Sequence, residues 1–310
     1  MKSSKSKREL NSLEIQKEKY WQSSNEALSK ETLEVLNEYL LSLKLANKAE
    51  ATITKYRSVL ERFFTDCALP IEEIASQDVL SWINEFTTDK KPKSVDLYLS
   101  TLSSFFQFCL EEDFIEHMIM KKRWRPKIPQ SLPQYLTERE YAKVIIAAER
   151  LSLRDQSLVL FLFSSGCRRS EVANLKIEDV DMSRRTVKVR GKGSKIRHVH
   201  ISEQCALILS DYLMTRSYEP TDPLFLGRYG GPLKSGGIYK VTTKLGRMVG
   251  LTKSLFPHCC RHTFATNMLA KGAELKFIAD EMGHKDLNTT RVYARIPTED
   301  MRIAYQNMMG

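Results

Sequence analysis

No stretch of this chain reaches the ~18 consecutive apolar positions that a membrane-spanning helix requires, and the basic start MKSSKSKREL has no apolar segment behind it. Both absences predict a soluble intracellular protein. The six cysteines show no C-x-x-C spacing and two of them, Cys259 and Cys260, are adjacent, so neither a zinc site nor a disulfide framework is expected. Reduced packing thiols remain as their reading. No repeat at a period of roughly 20–50 residues is visible. A Walker phosphate loop, an H-E-x-x-H pair and a carboxylate cluster spaced for magnesium are also missing, so no metal or nucleotide cofactor is expected.

What is present is enough for two folded units. The chain has 310 residues, 42% of them hydrophobic, which lets each half bury its own core. Its formal charge of +10 is unevenly placed: residues 1–130 sum to zero, and 131–310 carry the whole excess. Within the second part, RRTVKVRGKGSKIR (184–197) holds seven basic residues and no acidic one. Such a run is either a solvated face or a polyanion surface. Arg190, Lys195 and Arg197 are the candidate phosphate contacts it offers.

Residues 1–27 read as a basic N-terminal extension, a partly ordered arm or an extra helix. From 28 to 120 the apolar residues recur at three- and four-residue spacing (Leu33, Leu36, Leu40, Leu43; Ile53, Tyr56, Leu60, Phe63, Phe64), which predicts a small domain of four main helices. Ser76 is the expected N-cap of one, with Asp78 in its first turn, and another follows Pro92. KKRWRPKIPQSLPQ (121–134) combines five basic residues with three prolines and predicts an extended connection between domains. Its Lys121, Lys122, Arg123, Arg125 and Lys127 could bind phosphates while joining two lobes. The second domain, 135–310, opens on a capping box, Thr137 with Glu140, followed by a buried LVLFLF run. TVKVR and KIRHVHI alternate as strands around GKGS (191–194), a β-hairpin in an otherwise helical domain.

Four short constellations in that domain carry chemistry-bearing residues. SGCRRSEV places Arg168 and Glu171 at i, i+3, ordinarily a surface ion pair; the apolar Cys167, Val172 and Leu175 around them point to partial burial, where an arginine fork calls for an anion. RGKGSKIR holds Lys192 between two glycines at the hairpin tip. PHCCRHTF starts a helix at Pro257 and puts His258 and Arg261 one turn apart on one face, at a terminus whose free N–H groups favour an anion. His262, about 100° further round from Arg261, reads as a structural histidine with its nitrogens satisfied locally. Last, EMGHKDLNTTRVYAR predicts a helix capped by Gly283, then His284, a polar turn, and a new helix from Thr289 or Thr290 carrying Tyr293 in its first or second turn.

Taken in order, Arg168, Lys192, His258, Arg261, His284 and Tyr293 resemble the signature of the tyrosine recombinase (phage integrase) family: an arginine, a hairpin lysine, H-x-x-R, a histidine or tryptophan, and a nucleophilic tyrosine. The resemblance spans 131–310 through these motifs, and 28–120 is more loosely similar to the family's helical core-binding domain. Small departures are Cys167, where an aliphatic residue is usual, and Met282, where leucine is common before Gly-His. The implied fold is mainly α and two-lobed, an N-terminal helical domain and a C-terminal, mostly helical catalytic domain with a small antiparallel sheet, the lobes forming a clamp around a duplex. The implied reaction is cleavage and rejoining of DNA through a 3′-phosphotyrosyl link, with Tyr293 as nucleophile and His258 as its proton acceptor. Arg168 and Arg261 would clamp the phosphate, Lys192 protonate the leaving 5′-oxygen, His284 hydrogen-bond the phosphate, and Glu171 orient the cluster from behind. The implied partners are double-stranded DNA with inverted-repeat core sites and further protomers. Those would form a homotetramer on synapsed sites, or a heterotetramer with a related recombinase, with possible accessory proteins and no membrane. The C-terminal tail (Met301, Ala304, Tyr305, Met308) would dock in trans. Cytoplasmic, nucleoid-associated multimer resolution is the expected role, with element integration, a type IB topoisomerase and a silent DNA binder as alternatives.

Overall fold

The computed structural model describes residues 19–128, 133–191, 195–284 and 286–295. The tip lysine Lys192, most of the N-terminal extension and the tail from 296 onward lie outside the described residues. The chain divides into two units, Met1–Gln130 and Ser131–Gly310. No described helix is long and apolar enough to cross a membrane.

The described residues of the first unit form four α-helices, α1 (Lys30–Leu45), α2 (Glu50–Asp66), α3 (Ser76–Thr87) and α4 (Pro92–Glu111). Their periodic apolar faces meet in one core where Leu36, Leu40, Ile53, Leu60, Phe63, Leu102, Phe105 and Phe106 are fully buried. Ser76 does not cap α3. It is the first helical residue and its hydroxyl donates to Ile119 O at 2.6 Å, while the Asp78 carboxylate accepts from Ala75 N–H at 2.8 Å. The 19–27 lead-in forms a turn whose Tyr20 and Trp21 pack against the core, with Lys44 over the Trp21 ring. The start of the basic connection also departs from its expected extended form. Lys122–Trp124 makes a 3₁₀ turn, Trp124 packs on the first core, and Arg125 pairs with Asp96 at 3.2 Å and Ser100 at 3.0 Å on α4. Apolar anchorage by Trp124 outweighs the breaking effect of the prolines that follow.

The second unit starts with α5 (Glu138–Ala148), where the capping box forms as read: Thr137 N–H donates to Glu140 and Glu140 N–H to Thr137 Oγ1. Next comes α6 (Leu153–Ser165), whose stretch from Leu158 to Phe163 is apolar all round because it runs through the middle of the core, every side chain there being buried. After the short α7 (Arg169–Ala173), three antiparallel strands follow in the order β1 (Val180–Asp181), β2 (Thr186–Arg190) and β3 (Ile196–His200). The register Val187↔Val199 and Lys188↔His198 sends valines to the core and charged residues outward. The two-residue β1 is too short to carry a period-2 signal and was not foreseen. Helices α8 (Glu203–Met214), α9 (Ser235–Met248), α10 (Pro257–Ala270), α11 (Leu275–Met282) and α12 (Asn288–Arg291) complete the unit, with a 3₁₀ turn at Tyr293–Arg295.

Candidate active site

Two left-handed glycines aim the site. Gly166 ends α6 with φ +60° and turns the chain so that Cys167 is buried and Arg168 becomes the N-cap of α7. Gly283 ends α11 with φ +65° and points its own carbonyl and that of Met282 at the arginines. A Cβ on Gly166 would meet the Phe264 ring at 2.4 Å. Gly166→Ala therefore carries both backbone strain and overpacking, and is expected to cost roughly 1–3 kcal/mol in denaturant unfolding. It should also lower activity, because the Gly166 carbonyl holds Arg261.

Arg261, on the second turn of α10, is 3% exposed. Its guanidinium donates to Gly166 O at 2.6 Å and Met282 O at 2.7 Å. Arg168 reaches the same Met282 carbonyl at 3.4 Å and Gly283 O at 3.3 Å, and also donates to Glu171 at 2.9 Å. Glu171, 6% exposed, accepts from Arg168 N–H at 2.8 Å and takes a two-pronged contact from Arg197 at 2.9 and 3.0 Å. Burial would push its carboxyl up, but the bonds and charge from Arg197 and the Arg168 donors hold it below the usual carboxylate value.

Arg197 does not stand free on the surface with the rest of the basic run. It faces inward from β3, bound to Glu171 and, through Nε, to Glu281 O at 2.8 Å. Glu281 in turn accepts from His200 N–H at 3.1 Å and lies 2.7 Å from His200 Nδ1. β3 is in this way tied to the end of α11 whose carbonyls orient the other two arginines. The neighbouring Arg190 and Lys195 are exposed, as are Lys121, Lys122, Arg123 and Lys127 of the first unit, whereas Arg125, though exposed, is engaged by Asp96 and Ser100. Lys192 is not described, but the base of its hairpin is: a Cβ on Gly191 would lie 3.5 Å from both Arg197 Nη1 and Glu171 Oε1.

Tyr293 opens the terminal 3₁₀ turn, rather than sitting inside a longer helix, and is 2% exposed against Phe264, Ala265, Ile278 and Met282. Burial pushes its phenol up to about 12 despite the opposing charges of Arg261 and Arg168. Its hydroxyl lies 2.7 Å from His262 Nδ1. His262 was read as locally satisfied, and its partner is instead 31 residues away. The signal was in the spacing: His258 and His262 stand at i, i+4 on one face, and the deeper of the two meets the buried phenol. His258 is exposed, its ring 6.3 Å from that of His262. His284 contacts Thr290 Oγ1 through Nδ1 at 2.8 Å. Burial, then the charge of Arg261, drives His284 down to about 4; burial and then His258 do the same to His262. Both rings are neutral at neutral pH. Arg261 is pressed down to about 10 by burial and Arg168, and stays charged.

Two guanidiniums, those of Arg168 and Arg197, therefore converge on one carboxylate, and the phenol, two neutral histidines and two carbonyl-held arginines share one place. The surplus positive charge in a largely dry site suits an oxyanion. Known proteins agree with this chemistry. Residues 134–299 match the phage integrase family and residues 36–113 its N-terminal SAM-like domain. The tyrosine recombinase XerA of Pyrococcus horikoshii is 33% identical over 278 residues, covering 88% of this chain and 93% of its own. The tyrosine recombinase XerC of Bacillus subtilis is 30% identical over 276 residues, covering 84% and 91%. Among solved structures, the XerH site-specific recombinase bound to a palindromic difH substrate, in a post-cleavage complex, superimposes with a TM-score of 0.73 at 21% identity, covering 91% of this chain and 90% of that one. The two matched segments, the end-to-end likeness to curated relatives and the shared fold establish that the chain belongs to the phage integrase family, the tyrosine-type site-specific recombinases.

Proposed function

We propose that the protein cleaves and rejoins double-stranded DNA at an inverted-repeat core site, through a phosphotyrosyl link to Tyr293, and that its task is resolution of chromosome, plasmid or transposon multimers. The observation that carries the chemistry is buried Arg261, held by two carbonyls beside Arg168, whose charge opposes the rise that burial imposes on the Tyr293 phenol. Two guanidinium forks fixed by backbone carbonyls are preorganised for the non-bridging oxygens of a phosphodiester and need no rearrangement when charge develops on them. Tyr293 Oη attacks phosphorus and forms the 3′-phosphotyrosyl bond as the P–O5′ bond breaks. Lys192 protonates the leaving 5′-oxygen, and the 5′-hydroxyl of a partner strand later reverses the step. The Nδ1 contact with Thr290 fixes the His284 ring, and the neutral imidazole hydrogen-bonds the phosphate through its other nitrogen. Glu171 holds Arg168 in place without touching DNA. Energy is conserved in the phosphotyrosine bond, so rejoining needs no ATP.

The end-to-end match to XerA and XerC recombinases favours multimer resolution over element integration. Assembly of four protomers on two synapsed sites, with the tail docking in trans, belongs to the same proposal. The test is to mix the protein with sheared host DNA, denature with detergent, capture the protein and sequence what stays attached. One enriched inverted-repeat site in the chromosome or a plasmid is expected. A pair of mobile-element ends would move the role to integration, scattered attachment would indicate a topoisomerase, and no attachment would leave a silent binder.

A further inference from the structure

The proton on Tyr293 must go somewhere, and a phenol pushed up to about 12 does not lose it to water at neutral pH. His258 is the residue the motif suggests, yet it stands exposed one helical turn away. The group in contact with the hydroxyl is His262, with Nδ1 at 2.7 Å and the two rings 5.7 Å apart. Burial keeps that imidazole neutral, so one of its nitrogens carries no proton; with the hydrogen on Nε2, Nδ1 is an open acceptor and the phenol donates to it. Both residues are fixed. Tyr293 is wedged among Phe264, Ala265, Ile278 and Met282, and His262 sits mid-helix on α10 between the same packing face and His258.

We infer that His262, rather than His258, is the immediate proton acceptor from the nucleophile Tyr293. The inference rests on the recombinase reading above and deepens it. In the forward step the Oη–H bond breaks as Nδ1–H forms, Oη bonds to phosphorus, P–O5′ breaks, and the 5′-oxygen takes its proton from Lys192. In the reverse step the 5′-hydroxyl gives its proton to the Lys192 amine as O5′ bonds to phosphorus, and the imidazolium returns its proton to Oη as the phosphotyrosyl bond breaks, so nothing is consumed. An imidazole this much less basic than the phenol takes the proton only as the Oη–P bond forms and phenolate character is passed to phosphate, which ties deprotonation to a correctly seated phosphodiester. The charged and titratable groups around His262 are His258 and Arg261 on its own helix, His284 after α11 and Tyr293 from the terminal turn.

The experiment uses the full-length protein and a nicked suicide duplex built on the captured site, in two forms: an ordinary phosphodiester and one with sulfur as the bridging 5′ atom. Sulfur is a good leaving group and removes the need for an acid, but not for a base. His262→Ala is expected to slow covalent attachment about 10²–10⁴-fold on both substrates, with DNA binding by gel shift kept. Lys192→Ala should be slow only on the oxygen substrate. His262→Asn places an amide oxygen near the position of Nδ1, so it keeps the hydrogen bond but cannot take the proton. It should be as slow as alanine below pH 8 and regain rate as pH rises. An asparagine variant within about threefold of the parent at neutral pH would show that His262 only positions the tyrosine and would overturn the inference. So would a His262→Ala loss that the sulfur substrate repairs. A parent protein that forms no phosphotyrosyl link would instead overturn the recombinase reading itself.

Discussion

Tyr293→Phe is expected to abolish the covalent protein–DNA adduct, lowering strand cleavage by roughly 10⁴-fold or more, because no other group at this position can form the ester. The substitution removes one oxygen and leaves the ring among Phe264, Ala265, Ile278 and Met282. Loss of the contact with His262 should lower stability by only about 1 kcal/mol. Folding and site-specific DNA binding are therefore retained, and a denaturing gel of trapped adducts read beside a native gel shift separates chemistry from binding. A phenylalanine variant that still forms a covalent adduct would place the nucleophile elsewhere, the other tyrosines of the second unit being the next candidates.

How much of this was legible before the structure depended on the range of the interaction. Helical spacing carried the four helices of the first unit, the α5 capping box and the i, i+3 pairing of Arg168 with Glu171, since those contacts close within one turn. The inverted role of Arg197 was not legible. Its inward direction comes from α11, which packs on β3 from 84 residues downstream and presents the Glu281 carbonyl to it; nothing within the run 184–197 distinguishes it from Arg190 or Lys195. His262 was hidden for a similar reason. Its helix face could be read, but that this face meets a phenol 31 residues on depends on where the short turn at Tyr293 docks. Ser76 shows the converse, a good capping residue drawn away by a carbonyl at Ile119. Local chemistry named the residue types, and tertiary packing decided which of them face one another.

The inward Arg197 makes Glu171 the most sensitive position for stability. Glu171→Gln keeps the shape and removes the carboxylate charge that both Arg168 and Arg197 bind, beside the Arg261 guanidinium. Stripping one partner from a buried charge pair costs about 3–5 kcal/mol, and here the remaining like charges also repel. Arg197→Leu should cost less, because Glu171 keeps Arg168. The double variant should be more stable than the sum of the two losses, a coupling readable from denaturant unfolding. Acid supplies an independent check. The folded Glu171 carboxyl titrates below its ordinary value of 4.5, so its contribution is fully present above that value and is lost as pH falls through the folded pKa. His262 and His284, held neutral by burial, also destabilise the fold in acid, but they do so equally in parent and variant. The stability difference between parent and Glu171→Gln should accordingly be flat from neutral pH to about pH 5 and shrink below it. A difference that stayed constant down to the acid transition would mean that the carboxylate charge is not what holds the arginines together.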